Sequence, residues 1–180
     1  MASGLSLPLA HHEESHMSVF DRRSVRTTLL AAAWALLVCA GQASAAEDPA
    51  VAAEVMAAAK AQWAAQDQNK PAAQSFSTVA DDYTEFNPDV PTLIEGKGLA
   101  GRMFDASLQG GSQGLLSDMI NPHVQVYGDT AILAYNYVGM VKDKDGKIDN
   151  VLAKSTRVYV RQNGTWMLVH ANFAPVTSGD

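Results

Sequence analysis

The chain changes its hydrophobic period near its middle, and that change restricts the available folds more than any other feature. Before residue 110, apolar side chains recur at helical spacing. Val51, Val55, Ala58, Ala59 and Trp63 make one such series, and Leu99, Met103, Phe104 and Leu108 make another. Beyond it, residues 119–127, 130–142, 151–162 and 165–175 are rich in β-branched and aromatic residues with period-two features. Turn signals separate these runs at Gly128-Asp129, at Asp143-Lys144-Asp145-Gly146 and at Asn163-Gly164. Asn-Gly between two alternating runs is the strongest short-range hairpin signal a sequence carries. Helices followed by a meander of strands predict an α+β domain, with the helices packed on one face of a curved antiparallel sheet.

Local chemistry sets the element ends. Asp48-Pro49 combines a capping side chain with proline at the first helical position, so a helix should run from there to about Asp67, where Gln68-Asn69-Lys70-Pro71 ends it. A short second helix is expected over 72–77, a strand over 81–86 closed by Asn87-Pro88, and an extended piece over 92–96. The helix carrying Leu99 to Leu108 should stop at Gly110-Gly111. Strict alternation in the last strand would place Trp166, Leu168, His170 and Asn172 on one face and Met167, Val169, Ala171 and Phe173 on the other. Both faces carry apolar residues, so helices and a cavity are expected on one side of the sheet and a partner subunit on the other.

The first 45 residues are of a different kind. From Met17, the basic stretch Asp21-Arg22-Arg23-Ser24-Val25-Arg26 precedes an apolar run from Leu29 to Ala40, and Ala43-Ser44-Ala45 places small residues at a cut before Ala46. This is the pattern of a secretory signal peptide, and the run is shorter than the roughly 20 residues a membrane-spanning helix needs. The expected organisation is a disordered extension or misassigned start at 1–16, a signal peptide at 17–45 and one domain at 46–180. That places the mature protein in the periplasm or outside the cell, with no membrane attachment after cleavage. Cys39 is the single cysteine and leaves with the leader. Disulfides, thiol catalysis and thiolate zinc sites are thereby excluded from the mature chain.

Composition narrows the partners. A formal charge of −6 argues against nucleic acid, which demands Lys and Arg to neutralise phosphates. His123 and His170 are the only histidines beyond the leader and have no ligand spacing, so no metal is expected. Asp143-Lys144-Asp145-Gly146 lacks the third ligand of a calcium loop and reads as a hairpin tip. Gly110-Gly111-Ser112-Gln113-Gly114 fits neither phosphate-loop nor dinucleotide spacing, and no cofactor is expected.

Several residues carry candidate chemistry. Arg157 shares a strand face with Ser155 and Tyr159, and a guanidinium in a low-dielectric cavity binds an anion bidentately. His170, with Asn172 on its face, is a candidate general acid or base. Asp81, Asp82, Tyr83 and Glu85 are the acidic and phenolic candidates near the expected cavity mouth, Asp82 and Tyr83 being the pair singled out for catalysis. Tyr135 and Tyr137 line a cavity or pack in the core.

Phe86-Asn87-Pro88, Ile94-Glu95-Gly96, Asn121-Pro122-His123-Val124, Tyr127-Gly128, Ala134-Tyr135, Thr156-Arg157-Val158, Gly164-Thr165-Trp166 and Val169-His170 follow one another in this order. The series resembles the association domain of calcium/calmodulin-dependent protein kinase II, within the nuclear transport factor 2-like (SnoaL-like, ketosteroid-isomerase-like) superfamily. The resemblance implies a cone-shaped, cystatin-like α+β barrel, a sheet wrapped around N-terminal helices, a cavity at the wide end and dimerisation through the sheet. It also implies a basic pocket for small carboxylates, of which Arg157 matches one arginine. A histidine after the Glu-Gly motif is replaced here by Ala100, and an arginine on the central strand by Tyr137 or a neighbour. The resulting expectation is an exported homodimer binding a small polar or anionic organic ligand through Arg157, Tyr83, Tyr137, His170 and Asn172. Two alternatives stand beside it. One is a cofactor-independent isomerase, hydratase or cyclase using His170, Asp82 or Tyr83; the other is a purely structural oligomerisation module.

Overall fold

A computed structural model describes residues 48–176, so the leader and the expected cleavage site at Ala45-Ala46 lie outside the described residues. Helix α1 (Pro49–Asp67) begins at Asp48, whose carboxylate accepts hydrogen bonds from the amides of Ala50 and Val51 at 3.0 and 3.2 Å. It ends where Asn69 turns into a left-handed conformation just before Pro71. Val55, Ala59, Gln62 and Trp63 form its buried stripe, at the i, i+4, i+7, i+8 spacing of one helix face. Alanine on that stripe allows the sheet to approach closely. Helix α2 (Ala72–Ser75) follows, then β1 (Val79–Phe86), β2 (Ile94–Glu95) and α3 (Lys97–Gln109).

The rest of the chain is the meander β3 (Gln113–Tyr127), β4 (Thr130–Lys142), β5 (Ile148–Gln162) and β6 (Thr165–Pro175). All six strands join one sheet in the order β2-β1-β6-β5-β4-β3. The sheet is open, with β2 and β3 at its edges, and it is mixed rather than wholly antiparallel because β1 runs parallel to β6. The expected α+β class and its curled sheet over N-terminal helices hold, without barrel closure.

At the β5–β6 hairpin, Asn163 and Gly164 both take positive φ, at 50° and 81°, as the Asn-Gly signal requires. Its base is tied to α1: Arg161 ion-pairs with Glu54, whose Oε2 also accepts from Trp166 Nε1 at 3.0 Å. The concave face buries Leu133, Tyr135, Tyr159, Leu168 and Ala171 against Val55, Ala59 and Trp63 of α1.

Four register shifts interrupt the pairing of the described strands, including one in the middle of β3 and one in β6. In β3 the pairing jumps between Ile120 and His123, with Asn121 at φ 52° taking up the extra length. In β6, Tyr159 pairs with Leu168 but Val158 pairs with His170, leaving Val169 unpaired. One extra residue reverses which side chains face which way. Trp166 and Leu168 therefore share the concave face with Ala171 and Phe173, whereas His170 and Asn172 lie on the convex side. The expected grouping of Trp166, Leu168, His170 and Asn172 on one face is corrected accordingly.

Candidate functional site

A single row of paired residues crosses all six strands: Val124, Leu133, Arg157, Ala171, Glu85 and Ile94. Its concave side looks into a cavity of about 610 Å³ between the sheet and the helices. Trp63 and Gln62 of α1 form one wall, Ala100, Met103 and Phe104 of α3 another, and Tyr137, Phe173 and Arg157 the sheet wall. Tyr83, Glu85, Asn87 and Asp89 line the β1 side.

Arg157 is the centre of this arrangement, although only 3% of its surface is exposed. Its Nε donates to Tyr135 Oη at 3.0 Å and its Nη1 to Gln62 Oε1 at 2.7 Å. The guanidinium lies over two aromatic faces, 5.0 Å from the centre of Trp63 and 5.7 Å from that of Phe173. Burial opposes its charge, but the phenols of Tyr159, Tyr135 and Tyr83 favour it, and the guanidinium pKa is held above its ordinary value. Among the described residues no carboxylate lies within 4.0 Å of it. A buried cation whose partners are all neutral has given up its hydration without a counter-ion, at a cost of several kcal/mol.

Across the row, Tyr83 donates to Glu85 Oε2 at 3.0 Å, and Asn87 Nδ2 donates to Glu85 Oε1 at 2.9 Å. Burial, reinforced by the neighbouring Glu85 charge, pushes the Tyr83 phenol far above its usual range. Tyr83 is thus a fixed neutral donor. Tyr137 shares a 2.9 Å hydrogen bond with Ser117, which donates to Asp67 of α1 at the same distance. Its ring lies across Gly139, where a Cβ would fall 2.5 Å from the phenol oxygen.

Residues 52–176 match the family model of the calcium/calmodulin dependent protein kinase II association domain. The chain belongs to that family. A curated relative, the type II kinase subunit delta of Oryctolagus cuniculus, is 30% identical over 89 residues, covering 48% of this chain and 17% of the kinase. The chain thus spans less than a fifth of that relative's length. Among solved structures, the kinase II hub homology domain of Chlamydomonas reinhardtii is 27% identical with a TM-score of 0.59, covering 71% of this chain and 98% of that one. A nuclear transport factor 2-like protein of unknown function from Pseudomonas putida shares the fold at 17% identity and a TM-score of 0.59, covering 73% and 90% of the two chains.

Within this association domain the expected site residues divide. Arg157, Tyr83 and Tyr137 meet in the cavity, and Ala100 lines it where the family histidine was expected. His170 does not join them. Its Nδ1 is 2.9 Å from Thr84 Oγ1 on the convex side, with the Phe86 ring edge-on 6.1 Å away. Asn172 lines a shallow convex depression with Asn136, Lys154 and Thr156. Asp82 is exposed, since Tyr83 and Glu85 occupy the inward positions of β1. Gln62, Trp63 and Phe173 complete the cavity without having stood out in the sequence. Trp63 is marked there only as one more apolar residue on the α1 stripe, and the bulge at Val169 conceals Phe173. Among the described residues no group of three or more His, Asp or Glu side chains could hold a metal ion.

Proposed function

We propose that this association domain is an exported, self-associating module that holds a small organic anion on Arg157. The observation that carries the reading is the buried guanidinium without a counter-ion, set in a cavity of about 610 Å³. An anionic group seated there would supply the missing charge through a charge-assisted contact in a water-poor site. Tyr137, Trp63 and Phe173 would enclose the ligand body. Self-association is supported by the family and by the convex face, where Leu116, Ile120, Leu152 and Phe86 are exposed and Val138 pairs with Leu152. Apolar patches of this kind on a soluble domain mark contact surfaces. Export rests on the leader pattern at residues 17–45.

Thermal-shift measurements with small carboxylates, and with steroids and lactones as neutral comparators, test the anion site. Carboxylates should raise the melting temperature, and Arg157→Gln should abolish the rise. No shift with any carboxylate, or an undiminished shift in Arg157→Gln, overturns the binding reading and leaves self-association alone.

A further inference from the structure

The cavity contains a second charge as well placed as the first. Glu85 on β1 and Arg157 on β5 both pair with Ala171 on β6, so they stand in one row with a methyl group between them. Two strand spacings of about 4.8 Å put their backbones about 10 Å apart. Ala171 is completely buried between them, and the open space lies along the inward side chains of Arg157 and Glu85. Both charged residues line the same cavity.

The two charges are held apart. Arg157 is drawn towards β4 and α1 by its bonds to Tyr135 and Gln62. Glu85 is held along its own strand by Tyr83 and Asn87. No ion pair forms between them, and neither has another charged partner among the described residues. Tyr83 and Asn87 each give Glu85 one hydrogen bond, while an ionised carboxylate has about four acceptor positions. Its remaining lone pairs are available to a donor. Apolar surface from Phe104, Met103 and Ala100 lies opposite.

Resting on the anion site proposed above, we infer that the cavity selects a dipolar ligand: a small organic acid whose anionic group meets Arg157 and whose amine at the other end meets Glu85. The aliphatic body of such a molecule would cross the cavity between the two charges, against the α3 wall. A simple carboxylate satisfies only one end and brings its own charge towards Glu85. A zwitterion satisfies both ends and adds no net charge to the cavity.

Calorimetric titration of the full chain with ω-amino acids of three to seven carbons, the fatty acids of equal length and the corresponding amines tests this. At the best-fitting length the amino acid should bind at least about tenfold more tightly than the fatty acid, the gain expected from one charge-assisted hydrogen bond. Glu85→Gln should reduce that advantage to less than about threefold, and Arg157→Gln should weaken both acids. If the fatty acid binds as well as the amino acid, or if Glu85→Gln preserves the advantage, the dipolar inference is overturned. The anion site survives either result as long as Arg157→Gln still weakens binding. If no acid binds wild-type protein at any length, the anion site and the dipolar inference fall together.

Discussion

The guanidinium carbon of Arg157 lies 5.0 Å from the centre of the Trp63 ring, so helix α1 covers a buried cation with an aromatic face. The same indole contacts Tyr135 and Tyr137, each with ring centres 5.6 Å away. Trp63→Ala would remove the cover and open a void at the core. It should cost about 3–5 kcal/mol of stability by urea unfolding. A loss below about 1 kcal/mol would mean that the cavity does not depend on the indole.

Tyr137 and Gly139 form a second close contact. Because Gly139 has no side chain, the Tyr137 ring can lie across β4, and a Cβ there would fall 2.5 Å from its oxygen and 2.8 Å from its nearest ring carbons. Gly139→Ala should therefore displace the ring and cost about 1–3 kcal/mol, in the range of overpacked cores. In a Tyr137→Ala background the same change should cost far less, and a double-mutant cycle measures that coupling. Strict additivity would show that the two residues do not interact.

The buried phenols give stability a definite alkaline dependence. Burial raises the Tyr83 pKa, assisted by Glu85, and burial also raises that of Tyr159. Unfolded tyrosine ionises near pH 10. Above that value the folded protein holds protons that the unfolded chain has lost, so stability falls as pH rises. The contribution is fully present below about pH 10. Urea midpoints from pH 8 to 11 should be level at first and then decline. Tyr83→Phe should make the decline shallower.

Leu152 on the convex face lies opposite Val138 and is 43% exposed. Leu152→Glu should change stability by no more than about 0.5 kcal/mol, as for an ordinary surface change. It should also lower the mass found by light scattering to that of a smaller assembly. An unchanged mass would place the contact between copies elsewhere on the domain.

The architecture was readable because its signals are local. A capping aspartate and a proline start α1, and three turns divide the meander at the expected places. The start of β3 at Gln113 was hidden, since the pairing slips between Gly114 and Leu116 and breaks the alternation there. Half of the site was readable too: Arg157, Tyr83 and Tyr137 stood out by chemistry and position. Gln62 did not, because its bond to Arg157 joins residues 95 positions apart and nothing near either one announces it. His170 and Phe173 exchanged roles for one reason. Counting by twos cannot detect an unpaired residue such as Val169.

That unpaired residue also decides which changes of length the strand absorbs without disturbing the chamber. A descendant that lost Val169 alone would keep its hairpin and its pairing partners, and residues 170–175 would keep their faces, because cross-strand partners lie on the same side of a sheet. Phe173 would still stand beside Arg157, and the imidazole and carboxamide of His170 and Asn172 would still lie on the convex side. The bulge can thus be lost without altering the chamber, and bringing the proton-transfer group of His170 into it would take a one-residue slip that re-pairs the end of β6 with β5.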